Sequence, residues 1–336
     1  MAANTTTPAP AVRDNENSLA RRIVNAHEFG VLLATVLIFV FCAVFVQNFL
    51  TGSNLLSVAQ QIAFIGIVGT GMTFLIVAGE IDLSVGSQYG FLSVLMAFSI
   101  TDVGIPVALA IPLVLVAGAL IGLVQGLITT AFKVPSFVVT LAGLAVLRGV
   151  ALLIAHGQPV TGSKNEAFHS IVGGSVAGSL AAQTVWMIVI MGVAGWVLSR
   201  TKFGYDVYAV GGNTKAAVNA GIPAARVKVL CFVLTGALSG VAAIILVGWL
   251  GSANPLTGSG FELNVIAAVI VGGASLTGGV GSVTGTFLGA MVAGIIGNAL
   301  VLYGVDGNWQ QVATGLLILG AVLINQLVAS RQAKLR

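Results

Sequence analysis

Long apolar runs alternate with short polar breaks from residue 29 almost to the end of the chain. A run of about 17 to 25 apolar residues carries a helix across a bilayer. Ten such runs can be marked: 29–49, 55–78, 85–100, 105–132, 138–155, 183–199, 229–250, 263–276, 282–302 and 312–329. The pattern predicts an all-α, polytopic transmembrane helical bundle of about ten spans. The third and eighth runs are thin and glycine-rich, so either fits a re-entrant or broken helix, and a count of eight stays open. No small-residue cleavage site follows the first run, which is therefore read as a retained helix.

Composition agrees. Hydrophobic residues make up 57% of the 336, mean hydropathy is +1.05, and only 14 basic and 10 acidic side chains are present. No soluble domain of this size keeps so little charge on its surface. Three segments follow: a polar tail over 1–27, a membrane-embedded body over 28–330 and a short tail over 331–336. With an even number of spans and the N-terminus inside, the interior collects Arg13, Arg21, Arg22, Lys133, Arg200, Lys202, Lys215, Arg226, Lys228, Arg331, Lys334 and Arg336. Outside there is Lys164, and Arg148 falls within a span. This bias places both termini in the cytoplasm. The net charge of +4 thus reports topology, and no basic-aromatic patch points to nucleic acid. Cys42 and Cys231 lie inside apolar runs and imply neither a disulfide nor a metal site.

The most informative break is Val77-Ala78-Gly79-Glu80-Ile81-Asp82-Leu83-Ser84-Val85-Gly86-Ser87, which sets two carboxylates between apolar runs. Ionisable groups at membrane depth are costly unless they face protein, water or a partner, so Glu80 and Asp82 are functional candidates. An equally good reading makes Asp82 a cap for the next helix through the amide of Ser84 or Val85. Other polar residues within or beside spans are Gln60, Gln61, Gln88, Gln125, Thr140, Arg148 and Asn298. Each could serve a helix–helix hydrogen bond as well as a solute path. Arg148 could also pair with Glu80 or Asp82.

Two longer polar segments interrupt the bundle. The outer one, His156 to Gln183, is rich in Gly and Ser and reads as an irregular loop. The inner one, over 200–228, holds Gly212, a cap-like Asn213, the helix formers Ala216 and Ala217, and a Gly221-Ile222-Pro223 stop. That spells one short helix suited to docking on another protein, or a plain connector.

Glycines recur at four-residue spacing as Gly118, Gly122 and Gly126 and again as Gly281, Gly285 and Gly289. Such series let helix backbones approach closely. Gly86-Ser87 followed by Gly90, Phe91 and Leu92 resembles Gly281-Ser282 followed by Gly285, Phe287 and Leu288, which hints at an internal duplication. In transporters, repeats of this kind place the solute path at their interface.

Enzyme chemistry finds little footing. No Lys directly follows a Gly, so a phosphate-cradling loop is missing and the chain has no ATPase site of its own. Gly279-Val280-Gly281-Ser282 lacks an acidic partner for dinucleotide binding, and His27, His156 and His169 are too scattered for a metal cage. No catalytic residue, cofactor or metal is assigned.

Four segments in order, GEIDLSVGS (79–87), VPSFVVTLAGLAVLRG (134–149), YAVGGNTKAAVNAGI (208–222) and ELNVIAAVIVGGASLTGGVGSVTGT (262–286), resemble the ribose-type permease subunits of binding-protein-dependent ABC importers for simple sugars. The resemblance implies a bacterial inner-membrane subunit that pairs with a second permease chain, as a homodimer, binds an ATP-binding cassette ATPase and accepts a monosaccharide or sugar alcohol from a periplasmic binding protein. It also implies that Gly204 to Gly221 contacts the ATPase. On the residues alone, two rivals remain. One is an ion-coupled secondary transporter using Glu80 or Asp82, and the other is a membrane anchor that carries nothing.

Overall fold

The computed structural model describes residues 16–162, 165–176, 180–306 and 308–334. Lys164 lies outside them. The helices in chain order are α1 (Glu16–Phe45), α2 (Gly52–Val77), α3 (Val85–Thr101), α4 (Val107–Ala131), α5 (Ser136–Ile154), a single turn α6 (Glu166–Phe168), α7 (Ala182–Arg200), α8 (Lys202–Gly212), α9 (Thr214–Asn219), α10 (Ala224–Leu250), α11 (Phe261–Val271), α12 (Val283–Leu302) and α13 (Asn308–Lys334). Two-residue strands tie the outer loops: β1 (Val160–Thr161) pairs with β4 (Ser252–Ala253), and β2 (Ser175–Val176) with β3 (Leu180–Ala181).

The chain is therefore all-α at membrane scale. Six helices, α2, α4, α5, α7, α10 and α12, are long and apolar enough to cross a bilayer. Four shorter apolar stretches, in α1, α3, α11 and α13, fall on the remaining runs marked in the sequence. The third and eighth runs become α3 and α11, the latter with only 11 residues. At about 1.5 Å per residue α11 is about 17 Å long, roughly half the hydrocarbon core.

Helix α2 sits at the centre, and every residue from Ile62 to Val77 is buried. A helix enclosed all round carries no amphipathic stripe, which is why its sequence is evenly apolar. Helix α10 packs along both α2 and α4. The α4 seam is glycine-built: a Cβ on Gly118 or Gly122 would meet the carbonyls of Gly236 and Phe232, and one on Gly126 would lie 3.0 Å from the Val229 Cα. Gly285 and Gly289 meet the carbonyls of Gly272 and Ala268 in the same way. Gly281 departs from the series. It precedes α12 with φ of 154° and packs on Val77 and Ala274, because the helix starts only after the Ser282 hydroxyl accepts from the Gly285 amide. Gly122→Leu should lower the thermal midpoint and the yield of monodisperse protein, since overpacking costs about 1–3 kcal/mol. An unchanged midpoint would mean that this backbone contact does not exist.

The two breaks close in the same way. Helix α2 closes with Gly79 N donating to Ile76 O at 2.9 Å and Glu80 N to Leu75 O at 2.9 Å, with Gly79 at φ 83°. Helix α11 closes identically: Gly273 N donates to Ile270 O at 2.9 Å and Ala274 N to Val269 O at 3.1 Å, with Gly273 at φ 97°. Each closure uses the left-handed conformation that glycine adopts without penalty. The same closure recurs at Gly221 and Gly304, and the two breaks touch where Gly279 N donates to Val77 O at 2.8 Å.

Candidate functional site

Beyond Gly79 the chain runs extended into α3, and Asp82 is fully buried there. One carboxylate oxygen accepts from the Ser84 amide at 2.7 Å and the Ser84 hydroxyl at 2.6 Å, and the other accepts from Gln88 Nε2 at 2.7 Å. Gln125 Nε2, reaching across from α4, donates to the Ser84 hydroxyl oxygen at 2.7 Å. Asp82, Gln88 and Gln125 thus form one network around Ser84. The helix-start bond expected of Asp82 is present, and its second oxygen does further work by holding Gln88.

Glu80 faces elsewhere. Its carboxylate accepts from Lys228 Nζ at 2.6 Å, linking the end of α2 to the first turn of α10. Arg148 pairs with neither Glu80 nor Asp82. Its Nη1 donates at 2.8 Å to the carbonyls of both Pro255 and Thr257, and the carboxylate that attracts it is Glu262 at the start of α11. Asn298 is remote from all of these: it exchanges amide hydrogen bonds of 2.8 and 3.0 Å with Asn54, fastening α12 to α2.

Arg148 lies 12 residues beyond Ser136, where α5 begins, hence about 18 Å along the helix. The residues it grips belong to the irregular segment 254–260 between α10 and α11, on which Asn254, Leu256 and Ser259 are exposed.

The inner segment holds two helices where the sequence indicated one. Helix α9 is the expected one: the Asn213 side chain accepts from the Ala216 amide at 3.0 Å, and Ile222-Pro223 follows. Helix α8 before it went unread. Gly212, Asn213, Ala216 and Gly221 are exposed, but Ala217 is buried and faces the bundle. The α8–α9 elbow rests on the junction of the two breaks. Gly211 lies against the Val77–Gly279 hydrogen bond, so closely that a Cβ there would come within 2.7 Å of Gly279 N. Tyr208, one turn earlier, donates its hydroxyl to Gly281 O at 2.6 Å.

Residues 54–324 match the family described as the branched-chain amino acid transport system permease component. This chain belongs to that permease family. Among relatives, the probable ABC transporter permease protein YphD of Escherichia coli strain K12 is 40% identical, covering 94% of this chain and 94% of its own length. The ribose import permease protein RbsC of Haemophilus influenzae is 35% identical over 95% of this chain and 99% of its own. The L-arabinose ABC transporter permease protein AraH of Azospirillum brasilense is 36% identical over 88% and 87%. No solved structure matches.

Three participants in the permease's polar sites were not singled out in the sequence: Lys228, Glu262 and Tyr208. Lys228 carried a signal, since it and Glu80 both flank the ends of apolar runs. Tyr208 bonds a backbone carbonyl and Glu262 neighbours Gly86, and neither relation leaves a trace in residue types.

Proposed function

We propose that this permease is the membrane subunit of an ATP-driven importer that passes a monosaccharide or sugar alcohol from a periplasmic binding protein to the cytoplasm. It works in the bacterial inner membrane with ten crossings, both termini inside, paired with a second copy of itself and with a separate ATP-binding cassette ATPase. The tails 1–27 and 331–336 lie on the cytoplasmic side, and in this reading α11 crosses half the bilayer behind the segment 254–260, which re-enters it. Relatives named for ribose and arabinose import support a sugar as solute.

The observation that carries the reading is the contact of the α8–α9 elbow with both breaks through Gly211. A chain without a phosphate-binding loop needs a mechanical input, and the elbow meets the bundle where its two breaks join. The ion-coupled alternative loses its site: Glu80 is held by Lys228, and both oxygens of Asp82 accept protein hydrogen bonds.

Since Ala217 is buried, the docking test belongs on the exposed Ala216 and Val218. Ala216→Arg and Val218→Arg should lose co-purification with the ATPase and the stimulation of ATP hydrolysis by loaded binding protein, while inserting normally. Wild-type stimulation in both variants would remove the docking assignment. Uptake that follows an ion gradient with no ATPase present would remove the importer.

A further inference from the structure

We propose that the cleft between the segment 254–260, α11 and the first turns of α13 is a station for the sugar on its way through the permease. The proposal rests on the importer reading and adds to it a place and a set of side chains. The cleft encloses about 220 Å³ and is lined by Ser259, Asn264, Gln310, Gln311 and Thr314, with Gly260 and Leu263 completing the wall. That volume is below the roughly 300 Å³ at which pockets for drug-sized molecules begin, and suits a single small solute.

The lining is polar and uncharged. Thr314 Oγ1 lies 2.7 Å from Asn264 Oδ1 and 2.9 Å from Gln310 O, so its one proton serves one acceptor at a time. With Oδ1 turned to Thr314, the Asn264 amide nitrogen has no acceptor among the described residues. The side-chain amides of Gln310 and Gln311 likewise make no hydrogen bond among the described residues. Ser259 donates to Leu256 O at 2.9 Å and keeps its lone pairs. Paired donors and acceptors without charge match the hydroxyl groups of a sugar, each of which both gives and takes a hydrogen bond. A path also requires binding weak enough for release, and neutral amides supply that where ion pairs would hold a ligand. Gly260, at φ 76°, keeps the wall bare opposite Gln311.

Position agrees. Gln310, Gln311 and Thr314 lie in the first two turns of α13, at the end opposite the cytoplasmic elbow in the proposed topology. Solute released by a periplasmic binding protein arrives there first. The larger cleft of about 500 Å³, between α7 and α12, carries the hydroxyls of Ser199, Tyr208, Ser282 and Thr284 among Met187, Met191, Leu198, Val283 and Phe287, but no side-chain amide.

The test uses the full importer in proteoliposomes, with ribose and arabinose as probes and Cys42 and Cys231 replaced by Ala. Ser259→Cys and Gln311→Cys should react from outside with a charged methanethiosulfonate reagent, and whichever sugar the importer carries should slow that reaction. Gln311→Leu, at an exposed side chain without bonds to break, should raise the KM of uptake at least tenfold. Thr314→Ser should keep wild-type KM, while Thr314→Val should not. No reaction at either cysteine would show a lipid-facing cleft and overturn the proposal. So would labelling with KM within twofold of wild type in Gln311→Leu and Thr314→Val. Absence of ATP-dependent uptake by the wild-type complex would reject the importer reading, and the station with it.

Discussion

Gly211→Leu is expected to give a chain that inserts, binds its ATPase and yet takes up solute at least tenfold more slowly than the wild type. Any side chain at 211 meets the Val77 carbonyl and the Gly279 amide, the pair that joins the two breaks. Overpacking of about 1–3 kcal/mol would either part that bond or lift the elbow away from it. A shift of about 1.4 kcal/mol is already a factor of ten in an equilibrium. Gly212→Ala is the control, because a Cβ there has only the Gly279 Cα nearby, at 4.0 Å. Measuring uptake alongside stimulated ATP hydrolysis separates a broken joint from a lost partner. Equal uptake by Gly211→Leu and Gly212→Ala would show that the joint transmits nothing.

Asp82→Ala should have the second large effect, on folding. The change strips the Ser84 amide, the Ser84 hydroxyl and the Gln88 amide of an acceptor inside a site closed to water. The Gln88 amide keeps Ser84 Oγ and Gln125 Oε1, at 2.8 and 3.3 Å, so two buried orphans remain, each costing about 1–3 kcal/mol against a typical domain stability of about 5–15 kcal/mol. Asp82→Asn should keep most of the folded yield. It retains one oxygen for Ser84, and its new amide can donate to Gln88 Oε1, a buried atom without a hydrogen bond among the described residues, once the Gln88 amide turns. Size-exclusion profiles and thermal unfolding in detergent decide the matter. An Ala variant as stable as wild type would mean that the network is dispensable.

These two sites were not equally legible. The break containing Asp82 stood out because carboxylates at membrane depth are conspicuous in apolar surroundings, and the bond to Ser84 followed from local spacing. Helix α9 was legible for the same reason, since Asn213 and Gly221-Ile222-Pro223 are punctuation that acts within one turn. Helix α8 was hidden by its glycines, Gly204, Gly211 and Gly212, which local propensity reads as loop. The Arg148 contact was misread because its acceptors are carbonyls, 107 and 109 residues away, and every residue has a carbonyl. A charge in a span advertises that it has a partner without saying which. The match of Glu80 to Lys228, 148 residues apart, was lost to the same distance in sequence.

The glycine contact at the elbow also sets how much play the machinery has. Where two elements meet through long side chains, a displacement of an ångström or so is absorbed by rotamer changes before either backbone moves. At Gly211, main chain touches main chain, and nothing compliant lies between the α8–α9 elbow and the joined breaks at that point. As the docking point proposed for the ATPase, the elbow would pass a stroke to the breaks undiminished, and the same stiffness would carry a displacement of the breaks back to it.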